Sequence, residues 1–300
     1  MWKKFGDDQA GNLAALVAYF AFVSIFPLLL VLVTVLGIVL RSDPGLQHKL
    51  LNSALAEFPV VGQQLKPKSL AGSKSGVALA IGIIGTFLGA RGVANAAQNA
   101  FNTVWAVPMR ERPGFPYSLL RSVALTLVVG IGLIATTVLS SLAGGVGHTI
   151  TGPAGAVAAV AVSLVFNFGV FWAGFWLATA KSVGWRDLLL GAVLTAIVWQ
   201  ILQTAGGFLV GHQLAHAQSL YGTFGIVLGL VAWFYLQAEA SLYALEASMV
   251  HATKLWPRSL FPPPLTPQDR QAYKLYAERE ERRPEEQVEV RSNREPRPSR

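Results

Sequence analysis

The sequence predicts an all-α protein, a polytopic transmembrane helical bundle of about six spans with N- and C-termini cytoplasmic. Three observations lead there. Only 13% of the 300 residues are charged against 53% apolar, and mean hydropathy is +0.47. A soluble domain carries about a quarter charged residues. Charge is also uneven, since 10 of the 24 Lys and Arg and 8 of the 16 Asp and Glu follow Pro257. Finally, six stretches reach the roughly 20 apolar residues needed to cross about 30 Å of hydrocarbon.

Taken in order, the arm Met1-Trp2-Lys3-Lys4 precedes 32 uncharged residues, Gln9 to Leu40, with no small-residue cleavage site. A retained first span is therefore expected rather than a signal peptide. Spans are expected at about 13–40, 76–96, 122–143, 154–180, 188–210 and 221–250, within a membrane domain covering 1–256. None shows the period-two alternation of a barrel stave. Pro27 removes one backbone hydrogen bond and predicts a kink, while Gly82, Gly85 and Gly89 suit close helix contact. Leu46, Leu50, Leu51 and Leu55 predict a short helix at the outer interface. Beyond Arg91, Val93, Ala97, Ala100, Phe101 and Val104 share one face, and Asn95, Gln98, Asn99 and Asn102 another. That predicts an amphipathic continuation of the second span, its amide face turned to the interface, a polar cavity or a partner helix. The tail 257–300 is expected to be charged, cytoplasmic and largely disordered. Within it, Thr266-Pro267-Gln268-Asp269 reads as the start of a charged helix over 270–283.

Orientation follows from the basic residues. With both ends inside, 19 Lys and Arg lie in cytoplasmic segments and 5 outside, and the uncharged loops 144–153 and 211–220 fall outside. The same bias accounts for the pI near 9.9 without a nucleic-acid partner.

Chemistry is narrowly bounded. With no Cys there is no disulfide, thiolate nucleophile or thiolate metal site. His212 and His216 have i, i+4 spacing, but they sit in an expected loop with no acid nearby, so no metal is assigned. No phosphate-cradling loop or nucleophile elbow is present, and the acids are scattered, so neither an enzyme nor a cofactor is expected. Ionisable groups inside spans are costly and mark function by default. Glu239 and Glu246 lie two helical turns apart on one face. With Arg91, Asn102, Tyr19, Pro27 and Tyr221 they form the candidate transport or polar-cavity set. Packing determinants satisfied by neighbouring helices are the alternative for each of them.

Four stretches resemble the YihY/BrkB family of membrane proteins. They are Ala15 to Leu30 with Tyr19, Ser24 and Pro27; Arg91-Gly92 with Phe101-Asn102 and Trp105; Val183 to Arg186 with Gly191-Ala192 and Trp199; and Tyr221 to Gly225 with Trp233-Phe234-Tyr235 and Glu246. The likeness covers about residues 8–252. It departs at Trp105, Lys181 and Ala244, where the family favours Tyr, Pro and Gly. The resemblance implies a six-helix, multi-pass protein of the bacterial cytoplasmic (inner) membrane. It supplies no settled activity, and the old label ribonuclease BN is opposed by the scattered acids. A transporter, of a lipid or an amphipathic anion, is the leading expectation; a non-transporting structural or assembly protein of the envelope is the alternative. Expected partners are membrane lipids and a lipid or small-molecule cargo, with oligomeric state left open.

Overall fold

The computed structural model describes residues 1–39, 45, 75–146, 153–259, 265–286, 288 and 290. The expected interfacial helix at 46–55 and its cations lie outside these, as do the side chains of Tyr221, His212 and His216. The helices are α1 (Trp2–Asp7), α2 (Ala10–Val39), α3 (Ser75–Val104), α4 (Tyr117–Val146), α5 (Pro153–Ala178), α6 (Leu189–Thr253) and α7 (Pro267–Arg279). No strand occurs among the described residues.

α1 and α2 are separated at Gln9, whose φ of 50° breaks the helical path. α2 then runs through Pro27 without ending. Small residues set its packing on α3. A Cβ at Gly89 would lie 2.5 Å from Ser24 Cβ and 2.8 Å from Ser24 Cα, and one at Gly85 would lie 2.9 Å from Pro27 Cβ. One at Gly92 would run into the Phe20 ring. With little hydrophobic drive between helices in lipid, such close backbone approach is how spans adhere.

α6 is helical through 211–220, where a loop was expected. It nevertheless reverses. Gly191 and Ser248 are 57 residues apart, about 85 Å along a straight helix, yet the Gly191 N–H donates to Ser248 Oγ at 3.1 Å. Thr195, Trp199 and Leu202 likewise line a crevice with Gln237 and Ser241. The two limbs of α6 are therefore antiparallel neighbours. With α2 to α5 they make six long helical limbs.

Apolar faces point outward. Val160–Ala178 and Val227–Thr253 are long and apolar enough to cross a bilayer, and only 6% and 22% of these windows are buried inside the fold. Such surface belongs in hydrocarbon. The tightest packing lies at one end, where Phe5, Ala10, Ala14, Val104, Leu188, Leu245, Met249 and Ala272 form one cluster. Phe5 stacks on Tyr243 with ring centroids 3.7 Å apart. That end carries the N-terminus, the tail segment 265–286, the α3–α4 connection and the α5–α6 turn. Exposed Trp2, Phe115, Tyr117, Trp185 and Trp256 surround it, as aromatic residues do at a membrane interface.

The helix expected in the tail is present and docked on the bundle, within the described segment 265–286. Thr266 and Asp269 form a reciprocal capping box at the start of α7, with Pro267 in its first turn. Asp269 and Ala272 are fully buried. Asp269, Arg258 and Arg279 are met by Lys3, Asp7 and Asp8 of the N-terminal arm.

Candidate functional site: a buried ionic cluster where the termini meet

Lys4 is fully buried at the end of the bundle. Its ammonium lies 2.5 Å from Asp8 Oδ2, 2.6 Å from the Val104 carbonyl oxygen and 2.8 Å from Glu246 Oε2. The side chains of Lys4, Asp8 and Glu246 are all 0% exposed. Neither Glu246 oxygen receives a well-directed hydrogen bond among the described residues, so its attachment is ionic. Asp8 has a second cation, Arg279, at 2.8 Å. The helical i, i+4 step brings Lys4 to Asp8, and the reversal of α6 brings Glu246 to both.

A second hub adjoins it. Asp269 accepts from Lys3 Nζ at 3.1 Å, Arg258 Nε at 3.0 Å, the Ser259 and Thr266 N–H groups and the Thr266 hydroxyl. Arg258 also donates to Asp7 at 3.0 Å and to the Tyr276 hydroxyl at 3.2 Å. Burial alone would raise the Asp269 carboxyl, but the Ser259 N–H, Arg258 and Thr266 together hold it well below the usual carboxylate range. Burial and the nearby Asp8 push the Tyr276 phenol up. Arg110 closes the edge with an ion pair to Glu281 at 3.0 Å. In sum, Lys3, Lys4, Arg258 and Arg279 face Asp7, Asp8, Glu246 and Asp269, four cations against four carboxylates.

The candidate residues do not converge. Glu246 is in this cluster. Asn102 lies beside it as a clamp, donating to the Gln98 and Ala178 carbonyls at 2.7 and 3.3 Å and accepting from the Ala180 N–H at 2.8 Å. Glu239 is half-buried higher in α6, within hydrogen-bonding reach of Tyr235. Pro27 is in the α2–α3 contact. Tyr19 is 58% exposed, edge-on to Phe20. Arg91 is exposed on α3 and makes no ion pair among the described residues. Lys4, Asp8, Arg258, Asp269 and Arg279 escaped the sequence reading. One signal was available: four charges at i, i+4 spacing, Lys3-Lys4 and Asp7-Asp8, stand directly before 32 uncharged residues. No group of three His, Asp or Glu able to hold a metal occurs among the described residues.

The family described as Virulence factor BrkB matches residues 1–260, which take in all six limbs and every residue of the ionic cluster but Asp269 and Arg279. The chain belongs to this family. Among its relatives is Inner membrane protein YhjD of Escherichia coli (strain K12), 24% identical over 80% of this chain and 76% of that protein. YfkH of Bacillus subtilis (strain 168), named as ribonuclease-like, is 26% identical over 86% of this chain and 96% of its own length. A UPF0761 membrane protein of Vibrio campbellii is 24% identical over 78% and 75%. No solved structure matches. This BrkB-family chain is an integral protein of the bacterial inner membrane.

Proposed function

We propose that this BrkB-family protein is a transporter, of a lipid or an amphipathic anion, whose terminus-bearing end faces the cytoplasm and is closed by the ionic cluster. The observation that carries this is the burial of Lys4, Asp8 and Glu246 as mutually paired charges at the end of a membrane bundle. Buried ion pairs roughly break even for stability, because desolvation offsets their attraction. Paired charges that exchange partners are, in contrast, a common closure for a two-state element. An anionic cargo suits the exposed, unpaired Arg91.

The test is flux in vesicles holding the purified protein and a labelled anionic lipid or amphiphile, against empty vesicles. Flux that is altered by Glu246→Gln with normal folding supports transport. No flux for any such cargo, with native folding, removes it. The second reading, a non-transporting assembly protein, is favoured by one observation: Asn102 and Glu246 are spent on partners within the chain. It predicts a co-purifying envelope protein. Neither reading involves catalysis, and metal-dependent RNA cleavage by highly purified protein would overturn that.

A further inference from the structure

The exposed face of α3 changes character along its length. Ile83, Ile84, Phe87 and Leu88 are half exposed or more. From there downward the exposed positions are Arg91, Asn95 and Asn99, at i, i+4, i+8. Arg91 and Asn95 lie inside the expected span 76–96, and Asn99 just beyond its inner end. Asn102, tied to the end of α5 through Ala178 and Ala180, marks the inner end of the bundle. Arg91 is eleven residues from it, about 16 Å along the helix axis. An arginine at such depth is expensive unless it finds a polar partner. α2, α3 and α4 contain no Asp or Glu, so no carboxylate on these helices serves.

The amide N–H groups are the free donors of this face. Asn99 Oδ1 accepts from Arg112 at 2.9 Å, and Asn95 Oδ1 lies 3.2 Å from the Ser122 hydroxyl, which also donates to the Ser118 carbonyl at 2.9 Å. Neither Asn donates to any described residue. What is left facing outward is a guanidinium above two sets of amide N–H donors, with Arg112 at the foot. A guanidinium with amide N–H donors beside it suits phosphate oxygens, which accept charge-assisted hydrogen bonds. The apolar upper half of the face suits acyl chains.

We infer that Arg91, Asn95 and Asn99 form a lateral track on the outer face of α3 that takes the phosphate headgroup of an anionic phospholipid from the surrounding membrane. The headgroup enters at the inner end beside Arg112 and rises to Arg91, its chains remaining in the bilayer. This rests on the transport reading for its purpose, not for its geometry.

The experiment is native mass spectrometry of the full chain in detergent, titrated with dioctanoyl phosphatidylglycerol, with dioctanoyl phosphatidylcholine, and with inorganic phosphate as competitor. Phosphatidylglycerol is expected to bind about tenfold or more tightly than phosphatidylcholine. Arg91→Gln removes about tenfold of that, Asn95→Leu with Asn99→Leu severalfold, and Arg91→Lys less than Arg91→Gln. Arg186→Gln, an exposed cation outside the track, leaves the preference intact. Unchanged phosphatidylglycerol binding by folded Arg91→Gln overturns the track. So does equal competition by inorganic phosphate, which would make the site one for a free anion. Because binding is read without flux, the two readings separate. A chain that holds phosphatidylglycerol through Arg91 but moves no lipid keeps the track and loses the transporter. One that moves lipid with no such preference does the reverse.

Discussion

Removing the Lys4 ammonium is the most informative single perturbation of the ionic cluster. In Lys4→Met the side chain keeps its length, but two carboxylates with 0% exposure lose their shared cation. Asp8 retains Arg279 at 2.8 Å; Glu246 keeps no other ion pair among the described residues. Leaving one partner of a buried pair uncompensated costs about 3–5 kcal/mol. Glu246→Leu should be much milder, about 1 kcal/mol, because Lys4 still holds Asp8 and the Val104 carbonyl. Combining the two removes the stranded charge, so Lys4→Met with Glu246→Leu should be more stable than Lys4→Met alone. The expected coupling is about 2–3 kcal/mol, at the top of the range measured for contacting residues. The assay is reversible unfolding of the reconstituted protein, followed by its tryptophan fluorescence. Additive losses, with the double variant the least stable, would refute the premise that Glu246 depends on Lys4.

Gly89→Ala should cost about 1–3 kcal/mol by overpacking against the Ser24 backbone, while Gly130→Ala, with nothing within 4 Å, should be neutral or slightly stabilising; melting curves in one detergent decide. Asp269→Asn leaves Lys3 and Arg258 short of their carboxylate, so trypsin should cut at Arg270 and Lys274 much faster than in the parent, and equal rates would show that α7 is held by other contacts. Because the folded Asp269 carboxyl is depressed, its contribution is present above the ordinary carboxylate range and is lost only as pH falls through the lowered value. The tail should therefore stay docked at pH 5, as read by amide exchange over α7, and release there would contradict the assignment. A green fluorescent protein fused after Arg300 should fluoresce in intact cells, since it folds in the cytoplasm, and a dark fusion of normal abundance would reverse the proposed orientation.

Legibility in the sequence followed from what each signal measures. The long apolar runs showed where helices lie, because hydrocarbon thickness dictates their length. The Gly85 and Gly89 contacts were readable for the same reason, since close approach in lipid needs small residues at helical spacing. The α6 reversal was expected from two separate apolar runs, 188–210 and 221–250, but the uncharged stretch 211–220 between them is helical rather than a loop. Glu246 stood out as a costly charge in an apolar run. Its partner did not, because Lys4 reads equally well as one of the basic residues that fix orientation. Nothing in local periodicity says that Lys4, 242 positions away, will meet it. Asp269 was recognised as a helix start, but its hub draws on Lys3, Arg258 and Ser259, a convergence that only the folded chain supplies. The outward Arg91 ladder was half visible as an amide stripe. That its amide N–H groups are unengaged by any described residue was visible only in the folded chain, where Arg112 donates to Asn99 Oδ1.

The most direct test of the proposed transporter uses the absence of native cysteine. Phe5→Cys with Tyr243→Cys, at rings stacked 3.7 Å apart, can be bridged by a short cleavable thiol reagent in vesicles where flux of a labelled anionic lipid is being recorded. The account predicts that bridging stops flux, that cleavage of the bridge restores it, and that either single cysteine is without effect. Full flux through the bridged protein would contradict the claim that opening of the terminus-bearing end is part of the transport cycle.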